Sequence, residues 1–213
     1  MAYPLVVKKL GSRSYRDCWM EMKSFTDTRN DHTTDELWLL EHPPVFTLGQ
    51  AGKEEHILDA GNIEVVRADR GGQVTYHGPG QLVGYTLWDI KRREMGIKRL
   101  VCGMESALIR ILDELGIRAV TDASAHGVFV EQEKIASLGF RIRKGCTYHG
   151  FSLNLDLELE PFSRINPCGY AGMKVTDIAS QGVIINRGRI EELAIKHVAM
   201  EFGYYTVDSR LMV

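Results

Sequence analysis

KIASLGFRIRKGCTYHGFSLNLDLEL, residues 134–159, is the stretch whose pattern decides the fold. In its first part Ala136, Leu138, Phe140 and Ile142 share one parity with Lys134, while Ser137, Arg141 and Arg143 take the other. In its second part residues 148–159 alternate apolar and polar along their whole length. A period of two marks extended chain, because successive side chains leave a pleated strand on opposite faces. The spacing therefore predicts two consecutive strands in hairpin-like succession. Upstream, IRAVT and GVFVE read as two more, with a tight turn expected at Gln132–Glu133. ELWLLEH, stopped by Pro43 and Pro44, VFTLG, IEVVRAD at 63–69 and QLVGYTLWDI at 81–90 add further short strands.

Helices interrupt this series at three places. Ser14 to Arg29 sets Tyr15, Cys18, Met22 and Phe25 on one stripe. Residues 98–115 keep the 3.6-residue period through Leu100, Met104, Ala107, Leu108, Ile111 and Leu115, with Gly116 as terminator. Arg189 to Phe202 reads as a third helix. Regular alternation of strand and helix, which an all-parallel sheet requires, is missing. The expected class is α/β (α+β), with a mixed, largely antiparallel sheet covered by helices. No repeat or linker divides residues 1–213, so one domain is expected.

Composition narrows the function classes. The 213 residues are 44 % hydrophobic and 25 % charged, ordinary values for a packed domain. A net charge of −2 argues against a dedicated nucleic-acid binder. Basic clusters at Lys91, Arg92 and Arg93 and at Arg141, Arg143 and Lys144 read either as solvated strand and loop edges or as a dock for an acidic partner protein. No stretch approaches the roughly 20 apolar residues of a membrane span, and MAYPLVVKKLG lacks a secretory pattern. A cytoplasmic protein with reduced thiols is expected.

Of the four cysteines, one stands in unusual company. Cys18 falls on a helical stripe, Cys102 lies off one, and Cys146 stands three residues before His149. Cys168 sits in RINPCGYAGMKV, residues 164–175, between Pro167 and Gly169. Proline blocks regular pairing there and glycine frees the backbone, so the thiol belongs to a rigid turn and not to a packing run. It is a candidate nucleophile. Lys134 heads the apolar face of its strand; its amine either snorkels to water or sits partly desolvated, able to exchange a proton near neutrality. An ammonium beside a thiol favours the thiolate.

The glycine-dense segment RGGQVTYHGPGQ, residues 70–81, is a candidate ligand loop: its glycines let backbone approach a ligand, and Arg70, Thr75, Tyr76 and His77 add donors. It is no dinucleotide turn, since it has no G-x-G-x-x-G and leads into a strand. GQAGKE, residues 49–54, fails the phosphate-loop spacing and has Glu54 where Ser or Thr is needed. Cys146 and His149 have ligand-like spacing without a second pair, so no metal site is expected. His32, His42, His56, His126 and His197 read as loop or surface residues, and His149 differs in opening the strand with Gly150, Phe151 and Ser152.

Together RGGQVTYHGPGQ, KIASLGFRI, YHGFSLNL and RINPCGYAGM resemble the lipoyl(octanoyl) transferases, which move octanoyl from acyl carrier protein to protein lysines in lipoate biosynthesis. The likeness runs from about residue 35 to 178. It implies the fold of the biotin and lipoate protein ligases, an acyltransferase, and no cofactor. It places the acyl-thioester nucleophile on Cys168 and its proton-shuttling partner on Lys134. Substrate-binding segments fall on Arg70, Gly71, Gly72, Gln73, Val74, Thr75, Tyr76 and His77, on Ser137, Leu138 and Gly139, and on Gly150, Phe151 and Ser152, with His149 beside them as a possible supporting residue. The implied donor is octanoyl-acyl carrier protein. The implied acceptors are lipoyl domains of 2-oxoacid dehydrogenases and the glycine-cleavage H-protein; neither nucleic acid nor membrane takes part. Two other readings stay open: an ATP-dependent lipoate or biotin protein ligase, and a non-catalytic acyl or carrier-protein binding module.

Overall fold

The two strands of residues 134–159 become neighbours inside the main sheet of the computed structural model, which describes residues 3–122 and 125–207 apart from the Cys168 side chain. In chain order the elements are β1 (Tyr3–Ser12), α1 (Tyr15–Thr28), β2 (Asp35–Glu41), β3 (Val45–Leu48), β4 (Glu64–Arg67), β5 (Val74–His77), β6 (Gln81–Leu87), α2 (Ile97–Glu114), β7 (Val120–Thr121), β8 (Val128–Val130), β9 (Glu133–Arg143), β10 (Cys146–Asn154), α3 (Arg187–Phe202) and β11 (Tyr204–Val207). Among the described residues eight strands form one sheet in the order β11-β1-β2-β6-β10-β9-β8-β7, and β4-β3-β5 form a smaller one. β1 runs parallel to both its neighbours; the other pairs of the large sheet are antiparallel. The mixed, largely antiparallel sheet is thus present.

The sheet is covered on both faces. Helices α2 and α3 pack on one, where Leu153, Phe151, Leu82 and Ala136 meet Leu108, Ile111 and Val198 in the main core. Helix α1 packs on the other, where Cys18 and Met22 meet Trp38, Leu40, Tyr85 and Tyr148. This explains why the alternation in β10 does not mean a wet face: all nine of its residues are buried. The strand also stops at Asn154, five residues before the alternation does. The amides of Leu155 and Asp156 turn to the Gly80 carbonyl at 3.0 and 3.1 Å, and Asp177 accepts from the Leu157 amide at 3.1 Å. A periodic pattern without a neighbouring ladder makes no strand.

Other expectations shift for similar reasons. Ser14 caps α1, its hydroxyl accepting from the Asp17 amide. Thr26, not Phe25, completes the fully buried stripe, because its hydroxyl bonds back to the Met22 carbonyl at 2.8 Å. Helix α3 begins at Arg187 under an Asn186 cap. The 3–12 segment and residues 74–77, set between glycines at 71, 72, 78 and 80, both pair as strands, which the Pro, Lys and Gly within or beside them concealed. The basic clusters are largely spoken for within the fold. Arg92 reaches the buried Asp35 at 2.9 Å, Arg93 lies over the Tyr204 ring at 4.0 Å, and Arg143 and Lys144 share Asp27.

One polar tie joins α1 to β10. Asp69 accepts from Trp19 Nε1 at 2.7 Å, from His149 Nε2 at 3.0 Å and from the Tyr148 hydroxyl. Burial pushes this carboxyl up, but the hydrogen bonds from His149 and Tyr148 outweigh it and hold the group well below the usual carboxylate range.

Two outcomes are expected. Leu153→Ala, at a fully buried position of the central strand, destabilises by about 2–5 kcal/mol, read by chemical denaturation at equilibrium. Because the folded carboxyl of Asp69 titrates below its unfolded value of about 3.9, its stabilisation is complete above pH ~4 and fades as pH falls below it. Asp69→Asn removes that contribution, so denaturation midpoints of variant and wild type converge on acidification and lie furthest apart near neutrality.

Candidate active site

A trough runs along the central hairpin because opposing positions there lack bulk. Ser137 on β9 faces Ser152 on β10, and Gly139 faces Gly150. The next strand supplies the side wall: Val83 pairs with Ser152 and Tyr85 with Gly150 across β6–β10. A side chain at 150 is impossible without backbone movement, since its Cβ would lie 2.1 Å from the Gly84 carbonyl oxygen. The glycine-dense segment roofs the trough. Its Gly71 amide donates to the Phe140 carbonyl at 2.9 Å and pins the roof to β9. The resulting cleft is tight, with about 50 Å3 of free interior within about 510 Å3 of empty space that takes in its open mouth.

The candidate residues distribute unevenly about this space. Arg70, Gly72, Gln73, Val74, Thr75 and His77 line it from above, and Ser137, Leu138, Gly139, Gly150, Phe151 and Ser152 from below, with His149 at one wall. Tyr76 lies behind the roof, its ring packed on Phe46 and Phe162. Gly71 acts through its backbone contact with β9. The Arg70 guanidinium braces the roof, donating from Nε to Thr47 Oγ1 at 3.0 Å, from Nη1 to the Gly71 carbonyl at 2.8 Å and from Nη2 to the Gln73 carbonyl at 2.8 Å.

Three histidine rings gather around Tyr15 at centroid distances of 5.2 Å for His42, 5.9 Å for His77 and 6.2 Å for His149. Burial lowers all three, His42 to about 4 and His77 to about 3, and lowers His149 against the pull of Asp69. They are neutral at pH 7, and their neighbours fix the tautomers. His42 donates from Nδ1 to the Arg13 carbonyl at 2.6 Å and accepts at Nε2 from the Tyr85 hydroxyl at 2.6 Å. His77 donates from Nδ1 to Gln81 Oε1 at 2.7 Å, because the Gln81 amide nitrogen is spent on Asn154 Oδ1 and the Tyr76 carbonyl. His149 has a φ of +58°, a left-handed backbone uncommon outside glycine, which its bond to Asp69 accompanies.

Sequence reasoning placed His42 on a loop or surface; the structure buries it completely. The available signal was parity, since His42 continues the Trp38, Leu40 row of β2 into the cluster under α1. Tyr15, Val83 and Tyr85 also line the cleft and were read only as helix or strand residues. Their role depends on which elements meet across the sheet, which no local pattern encodes.

Lys134 is 2 % exposed. Its Nζ donates to the His126 carbonyl at 2.8 Å and stands 5.4 Å from the Phe129 ring centroid. Its main chain pairs with the 174–176 segment: the Lys134 amide donates to the Lys174 carbonyl at 2.9 Å and the Thr176 amide donates to the Lys134 carbonyl at 3.0 Å. That segment follows the turn Pro167–Gly169, which is a single turn of 3-10 helix. The turn is anchored by the Asn166 amide donating to the His56 carbonyl at 2.8 Å, and a Cβ on Gly169 would come within 3.3 Å of Gln73 Cγ. The turn therefore abuts Gln73 of the cleft lining through Gly169, while the Cys168 side chain lies outside the described residues. Among the described residues no three His, Cys, Asp or Glu side chains converge as a metal site would require, and no helix is long and apolar enough to cross a membrane.

Comparison with known proteins agrees with this architecture. The family described as lipoyl protein ligase A/B catalytic domain matches residues 14–199. An octanoyltransferase of Shewanella loihica is 56 % identical over 204 residues, covering 96 % of this chain and 94 % of its own. One from Vibrio vulnificus is 50 % identical over 208 residues, covering 98 % and 95 %. Among solved structures, a bipartite lipoate protein ligase from Thermoplasma acidophilum superposes with a TM-score of 0.76 at 16 % identity, over 98 % of this chain and 87 % of that one. The biotin protein ligase of Aquifex aeolicus gives 0.54 at 11 %, over 94 % and 69 %. At such identities these two likenesses concern the fold alone. The enzyme belongs to the lipoyl protein ligase A/B catalytic-domain family, among its octanoyltransferases.

Proposed function

We propose that the chain, as one catalytic domain, transfers an octanoyl group from octanoyl-acyl carrier protein to a lysine of lipoyl domains, those of 2-oxoacid dehydrogenases and the glycine-cleavage H-protein, in the cytoplasm. The observation that carries this reading is the trough of paired Ser and Gly residues, closed by a glycine roof against which the Cys168 turn packs. A narrow cleft floored by small residues accepts an unbranched apolar chain, and the family assignment gives that chain its identity.

In this mechanism the Cys168 thiolate attacks the thioester carbonyl, and the tetrahedral intermediate collapses with departure of the carrier thiol. Lys134 stabilises the thiolate as an ammonium and gives its proton to the leaving sulfur. Backbone amides near Leu138 and Gly139 are the candidates to hold the developing oxyanion. The acceptor amine then attacks the octanoyl-enzyme; Lys134, now neutral, takes the amine's proton, and Cys168 leaves as thiolate. Exchange between thioesters is nearly balanced and amide formation runs downhill, so no nucleotide enters the scheme. The three neutral histidines keep charge away from the apolar chain.

Two measurements test it. After incubation with octanoyl-acyl carrier protein and no ATP, intact-mass spectrometry is expected to show wild type heavier by one octanoyl group, with Cys168→Ala unshifted and inactive in transfer. An unmodified wild type that lipoylates only with ATP would point to a ligase, and one that binds carrier without any transfer to a binding module. Lys134→Ala is expected to slow Cys168 alkylation at pH 7, roughly tenfold for each unit by which the thiol pKa rises; equal rates in variant and wild type would break the proposed coupling.

A further inference from the structure

Helix α2 carries a carboxylate on its buried side. Glu105 is 7 % exposed and neighbours Met104, Ala107 and Leu108 of the main core. An acid withdrawn from water is costly unless hydrogen-bonded, and among the described residues its hydrogen-bond partner is one peptide group. Glu105 Oε1 accepts from the Gly127 amide at 3.1 Å, with His126 Nδ1 at 3.8 Å. The carbonyl of that same peptide, belonging to His126, accepts from Lys134 Nζ at 2.8 Å. The peptide plane is rigid, so holding its N–H fixes the direction of its C=O. A carboxylate on the N–H side also polarises the carbonyl and strengthens it as an acceptor for an ammonium.

The seat is shaped for this purpose. Gly127 has a φ of +137°, and a Cβ there would lie 2.5 Å from the Ala136 carbonyl oxygen and 2.6 Å from Lys134 Cε. Only glycine lets the peptide pass so close to the lysine stem. That same glycine makes the peptide free to rotate once its N–H is released. Something outside the loop must restrain it, and Glu105 is placed to do so.

The geometry points to Glu105 as a positioning residue for Lys134: through the His126–Gly127 peptide it holds the carbonyl that orients the lysine amine. Glu105 acts on this reading through the lysine, not on the reacting atoms. The inference rests on the reading of Lys134 as the partner of Cys168.

The protein contains its own controls. Cys102 is exposed on the same helix, and Cys18 and Cys146 are buried. Peptide mass mapping after brief iodoacetamide treatment at pH 7 therefore reads Cys168 reactivity, a reference thiol and unfolding together. For Glu105→Leu the expectation is a roughly tenfold fall in kcat for octanoyl transfer with unchanged KM for the carrier. Cys168 alkylation slows severalfold, Cys102 is unaffected, and Cys18 and Cys146 stay protected. Glu105→Gln keeps an acceptor for the Gly127 amide and restores both readouts to within about twofold. Unchanged kcat and alkylation in a folded Glu105→Leu, or a glutamine variant as impaired as the leucine one, overturns the inference. Should leucine expose Cys18 and Cys146, Gly127→Ala replaces it. The added methyl is expected to displace Lys134 and slow Cys168 alkylation alone; normal reactivity there overturns the inference equally. Lys134→Ala run alongside separates the two levels. If it leaves Cys168 reactivity unchanged, the reading of the lysine fails; if it slows Cys168 while a folded Glu105→Leu does not, only the role of Glu105 fails.

Discussion

The structure depends on one pairing, the antiparallel contact of β9 with β10, in which β10 is buried on both faces and one face of the pair is stripped of side-chain volume. Burial on two sides leaves no room for register error, because a one-residue slip would exchange Leu153 and Phe151 for Ser152 and Gly150 against α2. The same pleat that sends Leu153 and Phe151 into the core presents serine and glycine to the cleft. Stability and ligand space are thus two faces of one ladder, and the apolar face contributes the packing that lets the other remain empty.

Polar groups around the cleft follow from that arrangement. A roof of glycines has little packing of its own, so Arg70 fastens it with bonds to Thr47, Gly71 and Gln73. The imidazoles under α1 cannot charge cheaply in so dry a place; each finds a neutral partner or, for His149, an ionised aspartate that accepts from it. Lys134 is treated differently. Its stem is enclosed, yet its amine is met by a carbonyl and an aromatic face, both of which suit a cation.

Much of this was legible in the residues, and the parts that were not share a cause. Strand and helix periods located α1, α2, α3, β9 and β10 to within a few positions, because those signals are local. The small residues at 137, 139, 150 and 152 could be picked out through the family likeness, but that they oppose one another is a fact of register, visible only once β9 and β10 are paired. His42 went unrecognised because its neighbours Pro43 and Pro44 suggested a surface turn, whereas its parity with Leu40 points inward. Lysine and proline within β1 and the glycines flanking β5 hid those strands, and β11 is four residues at the sheet edge; such strands are made by their partners more than by their own composition. The buried Glu105 carries no local signal, since nothing along the helix announces the Gly127 peptide it meets.

The main-chain bridge between Lys134 and Val175 has a further consequence for how the protein comes into being. It joins positions about forty residues apart, so closing it costs more chain entropy than the neighbouring β9–β10 hairpin does. On the proposed role of Lys134, a chain that has not closed this bridge holds its cysteine as an ordinary, sluggish sulfhydryl, and reactivity of that sulfur becomes a reporter of completed assembly.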